Sequence, residues 1–323
     1  MRHSLTAGLL LAATALPLAG CSSDSTTTPS TGVNTSPEMV MEHPLSGQPY
    51  AVAIASSGEA YVSRLSVDLL ARIDLPGTTV TDSVTVTGAA PTGIAFLPNG
   101  TAAFIANQAS TGVTRVHVGT DAVDTTIGRS GDMFQTAAAP DGGRVYVTGS
   151  TGYVYAINPA INAVVDSVHL GGATNGMAFS PDGQSLYVGN LTDNTVRRIH
   201  LATLIVDQTD TLTGRIQGLA VSPDGSELWV ADQDADSVYV VSTTTRQVLA
   251  SIWVGAPFGL ALRPGTGQVW VTTLDGYVVV LDRTTRMAVG GLPLGGTLRH
   301  IAFNADGSRA VVADGSGRVL ILR

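Results

Sequence analysis

A tight-turn motif recurs along this chain at nearly constant intervals, and it constrains the fold more than any other feature of the sequence. Consecutive copies are 42, 42, 41, 42, 42 and 40 residues apart. A glycine marks each copy: Gly58, Gly100, Gly142, Gly183, Gly225, Gly267 and Gly307. Five copies have Pro or Ala, then Asp or Asn, then Gly, which is typical of a turn between two strands. The chain is therefore built from seven copies of one unit.

Each unit contains short apolar runs that are rich in β-branched and aromatic residues. In the fifth unit these runs cover 218–221, 229–230, 238–241 and 250–254. None of them has the 3.6-residue period of an amphipathic helix, and their length and composition are those of β-strands. The sequence therefore predicts four strands in every repeat.

Four strands in about 40–45 residues is the repeat of a β-propeller. The size of the side chains supports this interpretation, because blades converge toward a common axis. The third position of the first strand is always alanine: Ala53, Ala95, Ala137, Ala178, Ala220, Ala261 and Ala302. The next strand carries Tyr, Phe or Trp in six of the seven units, where the gap between blades is wider. We predict an all-β, seven-bladed propeller with four-stranded antiparallel blades.

The two ends of the repeat region predict how the ring closes. The seventh repeat stops at Arg323, in its third strand, so its blade lacks one strand. Residues 38–45 have no preceding first, second or third strand, yet they lead into a corner as every fourth strand does. We expect 38–45 to pair with 318–323 and to complete the last blade, which leaves no free edge in the ring. The propeller domain is then 38–323.

Segments such as 181–196, with Pro181-Asp182-Gly183 followed by Leu186-Tyr187-Val188, resemble the YVTN-family (YncE-like) β-propeller repeat. The resemblance extends over all seven copies. It implies the same blade architecture, and because the family motif carries no catalytic residue, it implies none here. Blade 3 departs from it, with Gln135-Thr136 where most copies have glycine and an apolar residue.

The first residues have the pattern of a bacterial export signal. Residues 1–20 contain an early arginine and an apolar stretch that is too short for a membrane-spanning helix. They end in Leu18-Ala19-Gly20-Cys21, which resembles the lipobox, and Cys21 is the only cysteine of the chain. We expect lipidation of Cys21, anchoring at the cell envelope after export, and a polar, flexible tether over 21–37.

Candidate binding residues lie where the loops between blades reach the inner strands. Ligand sites favour concave mouths of this kind. The residues at this rim differ from blade to blade, as expected of a mouth that binds an unidentified protein or small molecule: Tyr50, Thr92, Phe134, Gln135, Asn175, Gln217, Phe258, Arg299 and His300. Unconstrained drift of loop residues would give the same variety.

Two groups are weak candidates for chemistry. His300 beside Arg299 combines a possible acid–base group with an anion-binding group. Asp232, Asp234 and Asp236 alternate as in a calcium loop, but the glycine and the final acid of an EF-hand are absent. Solvated turn carboxylates and a hydrogen-bonded rim histidine explain the same residues, so the sequence requires no metal or other cofactor.

The composition argues against nucleic acids as partners. The chain has no lysine and a formal net charge of −8, which argues against nucleic-acid binding. We expect a lipid-anchored recognition platform rather than an enzyme. The alternatives are a metal-dependent lyase or lactonase with its site at the channel mouth, and a structural subunit of an envelope assembly.

Overall fold

The computed structural model describes residues 36–86, 90–109 and 112–323. The predicted export signal, Cys21 and most of the predicted tether lie outside the described residues. Within the described ranges the chain forms 28 β-strands and no helix, so no helix there is long and apolar enough to cross a membrane. The strands form seven four-stranded sheets, all antiparallel, and the expected seven-bladed propeller is confirmed.

The first strand belongs to the last blade, and the others follow blade by blade from the inner to the outer strand. The strands are β1 (Met39–Pro44); in blade 1, β2 (Pro49–Ile54), β3 (Glu59–Arg64), β4 (Leu69–Asp74) and β5 (Thr79–Thr85); in blade 2, β6 (Pro91–Phe96), β7 (Ala102–Asn107), β8 (Gly112–His117) and β9 (Ala122–Ile127); in blade 3, β10 (Met133–Ala138), β11 (Val145–Gly149), β12 (Tyr153–Asn158) and β13 (Ala163–His169).

Blades 4 to 7 repeat this order. Their strands are β14 (Thr174–Phe179), β15 (Ser185–Asn190), β16 (Thr195–His200) and β17 (Ile205–Thr211); β18 (Ile216–Val221), β19 (Glu227–Asp232), β20 (Ser237–Ser242) and β21 (Val248–Trp253); β22 (Pro257–Leu262), β23 (Gln268–Thr273), β24 (Tyr277–Asp282) and β25 (Met287–Pro293); and β26 (Leu298–Phe303), β27 (Ala310–Asp314) and β28 (Arg318–Leu322).

The ring closes between the beginning of the described chain and its last strand. β1 pairs antiparallel with β28, and backbone hydrogen bonds extend this ladder from Glu38 opposite Arg323 to Leu45 opposite Gly317. Two ion pairs reinforce it, Arg323 with Glu38 at 2.6 Å and Arg318 with Glu42 at 3.0 Å. The predicted closure of 38–45 on 318–323 is confirmed.

One row of four directly paired residues crosses every blade from the axis outward, and we call it the central row. Its first member is the repeated alanine, and its second is the aromatic residue of the next strand, as in the pairs Ala53–Tyr61 and Ala220–Trp229. In blade 7 the second member is Val311. Because paired residues on adjacent strands share one face of a sheet, the step from alanine to an aromatic residue in six of the seven rows follows the widening of the wedge between two blades.

The hydrophobic core is divided among the junctions between blades. Seven apolar clusters each join two neighbouring blades, including one that joins blade 7 to blade 1. The largest buried side chains in these clusters include Trp229, Trp270, Tyr61 and Phe104. Burial of this apolar area is the main term that stabilises the ring.

The ring has two faces with different loops. The connections from one blade's outer strand to the next inner strand share a face with the hairpins between second and third strands, and we call it the mouth face. The Pro-Asp-Gly turns and the turns between third and fourth strands form the opposite face, which we call the turn face.

Candidate functional site

All nine predicted rim residues lie at the second or third position of an inner strand, at the end nearest the mouth face. At the third position of the observed strands, two residues before the repeated alanine, four blades have glycine because the next inner strand passes very close. A Cβ on Gly176 would lie 2.5 Å from the carbonyl oxygen of Gln217, and one on Gly259 would lie 2.7 Å from that of Arg299. Side chains larger than alanine occupy this position only in blades 3 and 7, as Gln135 and His300.

Gln135 and His300 meet each other. Their Nε2 atoms are 2.8 Å apart, although the residues are 165 positions apart in the chain and belong to blades 3 and 7. The hydrogen bond requires the unprotonated His300 nitrogen to accept from the amide group of Gln135. Two departures from the repeat therefore link two blades that are not neighbours in the ring.

Aromatic rings surround this contact. The rings of Tyr50 and Phe258 lie 5.6 and 5.2 Å from the His300 ring and 5.8 Å from each other. The Arg299 guanidinium lies over both, 5.4 Å from the centre of Tyr50 and 4.9 Å from that of Phe258. Tyr50, Gln135, Phe258, Arg299 and His300 are named here the mouth cluster.

The mouth cluster keeps its histidine neutral. Burial lowers the pKa of His300 to about 4, and the positive charge of Arg299 acts in the same direction. Burial also raises the pKa of Tyr50, with Arg299 opposing it. At neutral pH the imidazole is therefore uncharged. Its Nε2 can accept a hydrogen bond, and the ring does not act as a general acid.

The other four rim residues lie outside the mouth cluster. The Thr92 hydroxyl is buried between the carbonyl oxygens of Ala106 and Met133, at 3.1 and 3.0 Å. Asn175 donates to Gln217 at 2.8 Å, and Gln217 donates to Gln233 at 2.6 Å. Phe134 is half-buried. The nine predicted residues thus surround the channel mouth but do not form one connected set.

The three alternating aspartates have three different sets of partners. Asp232 is fully buried and accepts from the backbone of Gly214 at 2.8 Å. Asp234 forms an ion pair with Arg215 at 2.9 Å, and Asp236 accepts from the backbone of Ala256 at 2.8 Å. Across the described ranges, no group of three or more His, Cys, Asp or Glu side chains is arranged to hold a metal ion.

Asp232 illustrates a structural role that recurs at the ends of second strands. The equivalent Asp314, also fully buried, accepts from the Thr297 backbone at 2.8 Å and from Arg318 Nε at 2.7 Å. Asn190 donates to the Gly171 carbonyl at 2.6 Å. Each side chain ties a hairpin to the loop that enters its blade. The sequence analysis treated Asp232 as a weak candidate metal ligand, whereas its hydrogen bonds hold neighbouring loops together.

A small cleft remains open beside the mouth cluster. It has a volume of about 120 Å³ and is lined by residues that include Gln48, Tyr50, Thr297 and Arg299. Among the described residues no carboxylate lies within ion-pair distance of Arg299. The guanidinium is therefore held in place by aromatic faces while its hydrogen-bond donors are available at the mouth.

Much larger cavities lie on the turn face, which the sequence did not identify as a site. One of about 850 Å³ lies between blades 3 and 4, and one of about 580 Å³ lies between blades 4 and 5. The first is lined by the turns at Asp141 and Asp182 and by Tyr146 of β11. Nothing in the sequence distinguishes these residues from their equivalents in the other blades, because they belong to turns and strand positions that recur in every repeat.

Comparisons with known proteins relate this chain to others by fold and not by sequence. No protein-family model matches it, and no curated protein matches its sequence. Its fold does have a solved counterpart. A chain of hydrazine synthase from Kuenenia stuttgartiensis is 18% identical, with a TM-score of 0.79, over 88% of this chain and 97% of that one. In all, 1844 solved chains match the fold, so the likeness establishes the propeller and selects no function.

Proposed function

We propose that this protein is a lipid-anchored, extracytoplasmic propeller, related to the YVTN-type repeat proteins, that acts as a non-catalytic recognition platform. Its partner carries a carboxylate group and meets the ring at the mouth face. Arg299 is the residue that carries this proposal, because it is the cation at the mouth whose position is fixed while its donors stay free.

The support comes from how Arg299 is held. Contacts with Tyr50 and Phe258 restrict its rotamers, so binding a carboxylate costs less conformational entropy than it would for a free arginine. A guanidinium presents paired donors that match both oxygens of a carboxylate. Arginine and tyrosine in partly desolvated positions are also the residues that dominate binding energy at protein interfaces.

A non-catalytic role is favoured by the state of the other polar groups. His300 is neutral and its Nε2 is bonded to Gln135, so its acid–base capacity is not directed at a substrate. Asp232 is committed to the backbone, and Asp234 to an ion pair. The alternative of a metal-dependent lyase or lactonase therefore has no observation in its favour.

The alternative of an envelope subunit requires a broad apolar patch on one face. The most exposed large apolar side chains are Ile161, Ile205, Trp253 and Met287, between 60% and 74% accessible. They belong to four different blades and lie on outer strands or their turns. This scatter around the circumference favours a discrete binding site over a continuous assembly surface.

Two experiments test the proposal. Cells that make the full chain are labelled with an alkyne analogue of palmitate, and we expect incorporation that is lost in Cys21→Ser. A photo-crosslinking amino acid is then placed at position 134, with position 289 on the outer strand β25 as the control site. We expect a crosslinked partner only from position 134, weakened by Arg299→Lys and lost in Arg299→Ala. Equal crosslinking in Arg299→Ala contradicts the role of Arg299.

A further inference from the structure

Blade 3 differs from blades 1, 2 and 4 at one position of its central row, and this position lines the cavity between blades 3 and 4. The third member of this row, opposite the aromatic residue, is an arginine in three blades: Arg72, Arg115 and Arg198. In blade 3 it is Ala156, which pairs with Tyr146 on one side and with Asp166 on the other. Blades 5, 6 and 7 have Val240, Val280 and Ile321 there, so Ala156 is the smallest of the seven. It lines the cavity, which is larger than the cavity of about 580 Å³ beside Arg198.

Tyr146 also lacks the neighbouring arginine that Tyr61 and Tyr187 have in their blades, and its hydroxyl has no hydrogen-bond partner among the described residues. In blade 1 the Tyr61 hydroxyl donates to Asp121 of the next blade, and Arg72 binds the same carboxylate. In blade 4, Arg198 binds Asp207 at 2.8 Å and lies beside Tyr187. Tyr146 is 95% buried, yet its hydroxyl has no hydrogen-bond partner among the described residues and faces the cavity. A hydroxyl that opens on a cavity and has no protein partner is available to a ligand or to water.

Charged groups of both signs surround this hydroxyl. Burial raises the pKa of Tyr146, while Arg144 lowers it and Asp141 and Asp166 raise it, so all three charges lie close to the phenol. Arg144 is bonded only to the Gly143 carbonyl, at 2.8 Å, and forms no ion pair within the described ranges. Asp182, from the facing turn of blade 4, adds a third carboxylate to the lining.

This set of groups selects a class of ligand. Three carboxylates oppose an anion, and the nearby guanidinium opposes a simple cation. Carboxylates, guanidinium and phenol together offer both acceptors and donors, which is the pattern that alternating hydroxyl groups satisfy. The rings of Pro140 and Pro181 and the side chain of Leu201 supply apolar surface beside them. A volume of about 850 Å³ is in the range of small-molecule sites.

We infer that the cleft between blades 3 and 4 on the turn face binds a neutral, hydroxyl-rich ligand of the size of a disaccharide. Tyr146 donates to or accepts from a ligand hydroxyl, and Arg144 and Asp166 bind further hydroxyls. This site is separate from the mouth and does not depend on the partner proposed there.

Calorimetric titration of the full chain with maltose, lactose and N,N′-diacetylchitobiose tests the inference. We expect at least one of them to bind with a stoichiometry of one. Tyr146→Phe should weaken that binding about tenfold, as expected for one lost hydrogen bond. Ala156→Arg should abolish it, because it places in the cleft the long, charged side chain that blades 1, 2 and 4 carry at this position. The matched control Tyr61→Phe should leave it unchanged.

Further outcomes separate this inference from its rivals. Asp166→Asn retains the shape of the cleft and should weaken binding, which keeps the test valid if Ala156→Arg fails to fold. Putrescine and citrate serve as charged probes, and tighter binding of either overturns the assignment to a neutral ligand. Absence of binding by all three disaccharides, or binding that persists in Ala156→Arg, overturns the site. Arg299→Ala should not change these titrations, so failure at the mouth and failure at the cleft are distinguishable.

Discussion

The mouth cluster and the cleft between blades 3 and 4 depart from the same repeat in opposite ways. At the mouth, two glycine positions carry larger residues, Gln135 and His300, and these satisfy each other. In the cleft, a position that is arginine in three other blades is Ala156, and the hydroxyl of the neighbouring Tyr146 has no hydrogen-bond partner among the described residues. An added side chain in a closed ring is absorbed by packing, whereas a missing one leaves a cavity with polar walls. The two regions therefore differ in what they leave available to a ligand: the Arg299 guanidinium at the mouth, and a cavity of about 850 Å³ at the cleft.

The largest expected effect is a difference in stability between two variants. One loses a polar group that holds the mouth face together, and the other loses a polar group that lines the cleft. Asp314→Ala removes a buried carboxylate that binds Arg318 and several backbone and hydroxyl groups, and should lower the free energy of unfolding by about 3 to 5 kcal/mol. Asp182→Ala, in an exposed turn of the cleft, should lower the free energy of unfolding far less. Chemical denaturation of both variants gives the comparison, and equal losses contradict it.

The second prediction concerns the acid stability of the mouth cluster. Because His300 has a pKa of about 4 when folded and about 6.5 when unfolded, the unfolded chain binds more protons between these values. Its contribution is intact above pH 6.5 and falls as the pH drops toward 4. We expect wild type to lose about 3 kcal/mol more than His300→Gln between pH 7 and pH 4. Parallel losses in the two proteins contradict a neutral, buried imidazole.

A third prediction compares two tyrosines at the same position of the central row. Tyr61→Phe breaks a hydrogen bond to the charged Asp121 and should cost about 1.5 kcal/mol. Tyr146→Phe removes a hydroxyl that has no partner in the described structure, and its effect on stability should be below about 0.5 kcal/mol. Thermal or denaturant unfolding measures both. A large loss in Tyr146→Phe shows that the cleft hydroxyl is already satisfied.

The smallest effect is the coupling between blades 3 and 7. In a double-mutant cycle, Gln135→Ala and His300→Ala should be non-additive by about 1 kcal/mol. His300→Ala and Asp182→Ala act on opposite faces and should be additive. Additivity in both cycles removes the contact across the channel from the account.

The sequence predicted the blades well because repetition reveals side-chain volume. The seven alanines and their aromatic partners could be aligned without a structure, and so could the pairing of 38–45 with 318–323. The rim residues could be named one by one, but not the contact between Gln135 and His300, which depends on the diameter of the closed channel. The cleft was missed because an alanine in a strand attracts no notice in a sequence, and the small size of Ala156 stands out only when strand register aligns it with Arg72 and Arg198.

The contrast between the mouth, where Gln135 and His300 bond to each other, and the open cleft is tested most directly by one NMR titration. With tyrosines labelled with carbon-13 at Cζ and assigned by Tyr→Phe variants, Tyr50 reports on the mouth and Tyr146 on the cleft in one spectrum. We predict that the disaccharide that binds in calorimetry shifts the Tyr146 signal in proportion to saturation and leaves the Tyr50 signal in place. A Tyr50 signal that moves while Tyr146 stays fixed contradicts the account.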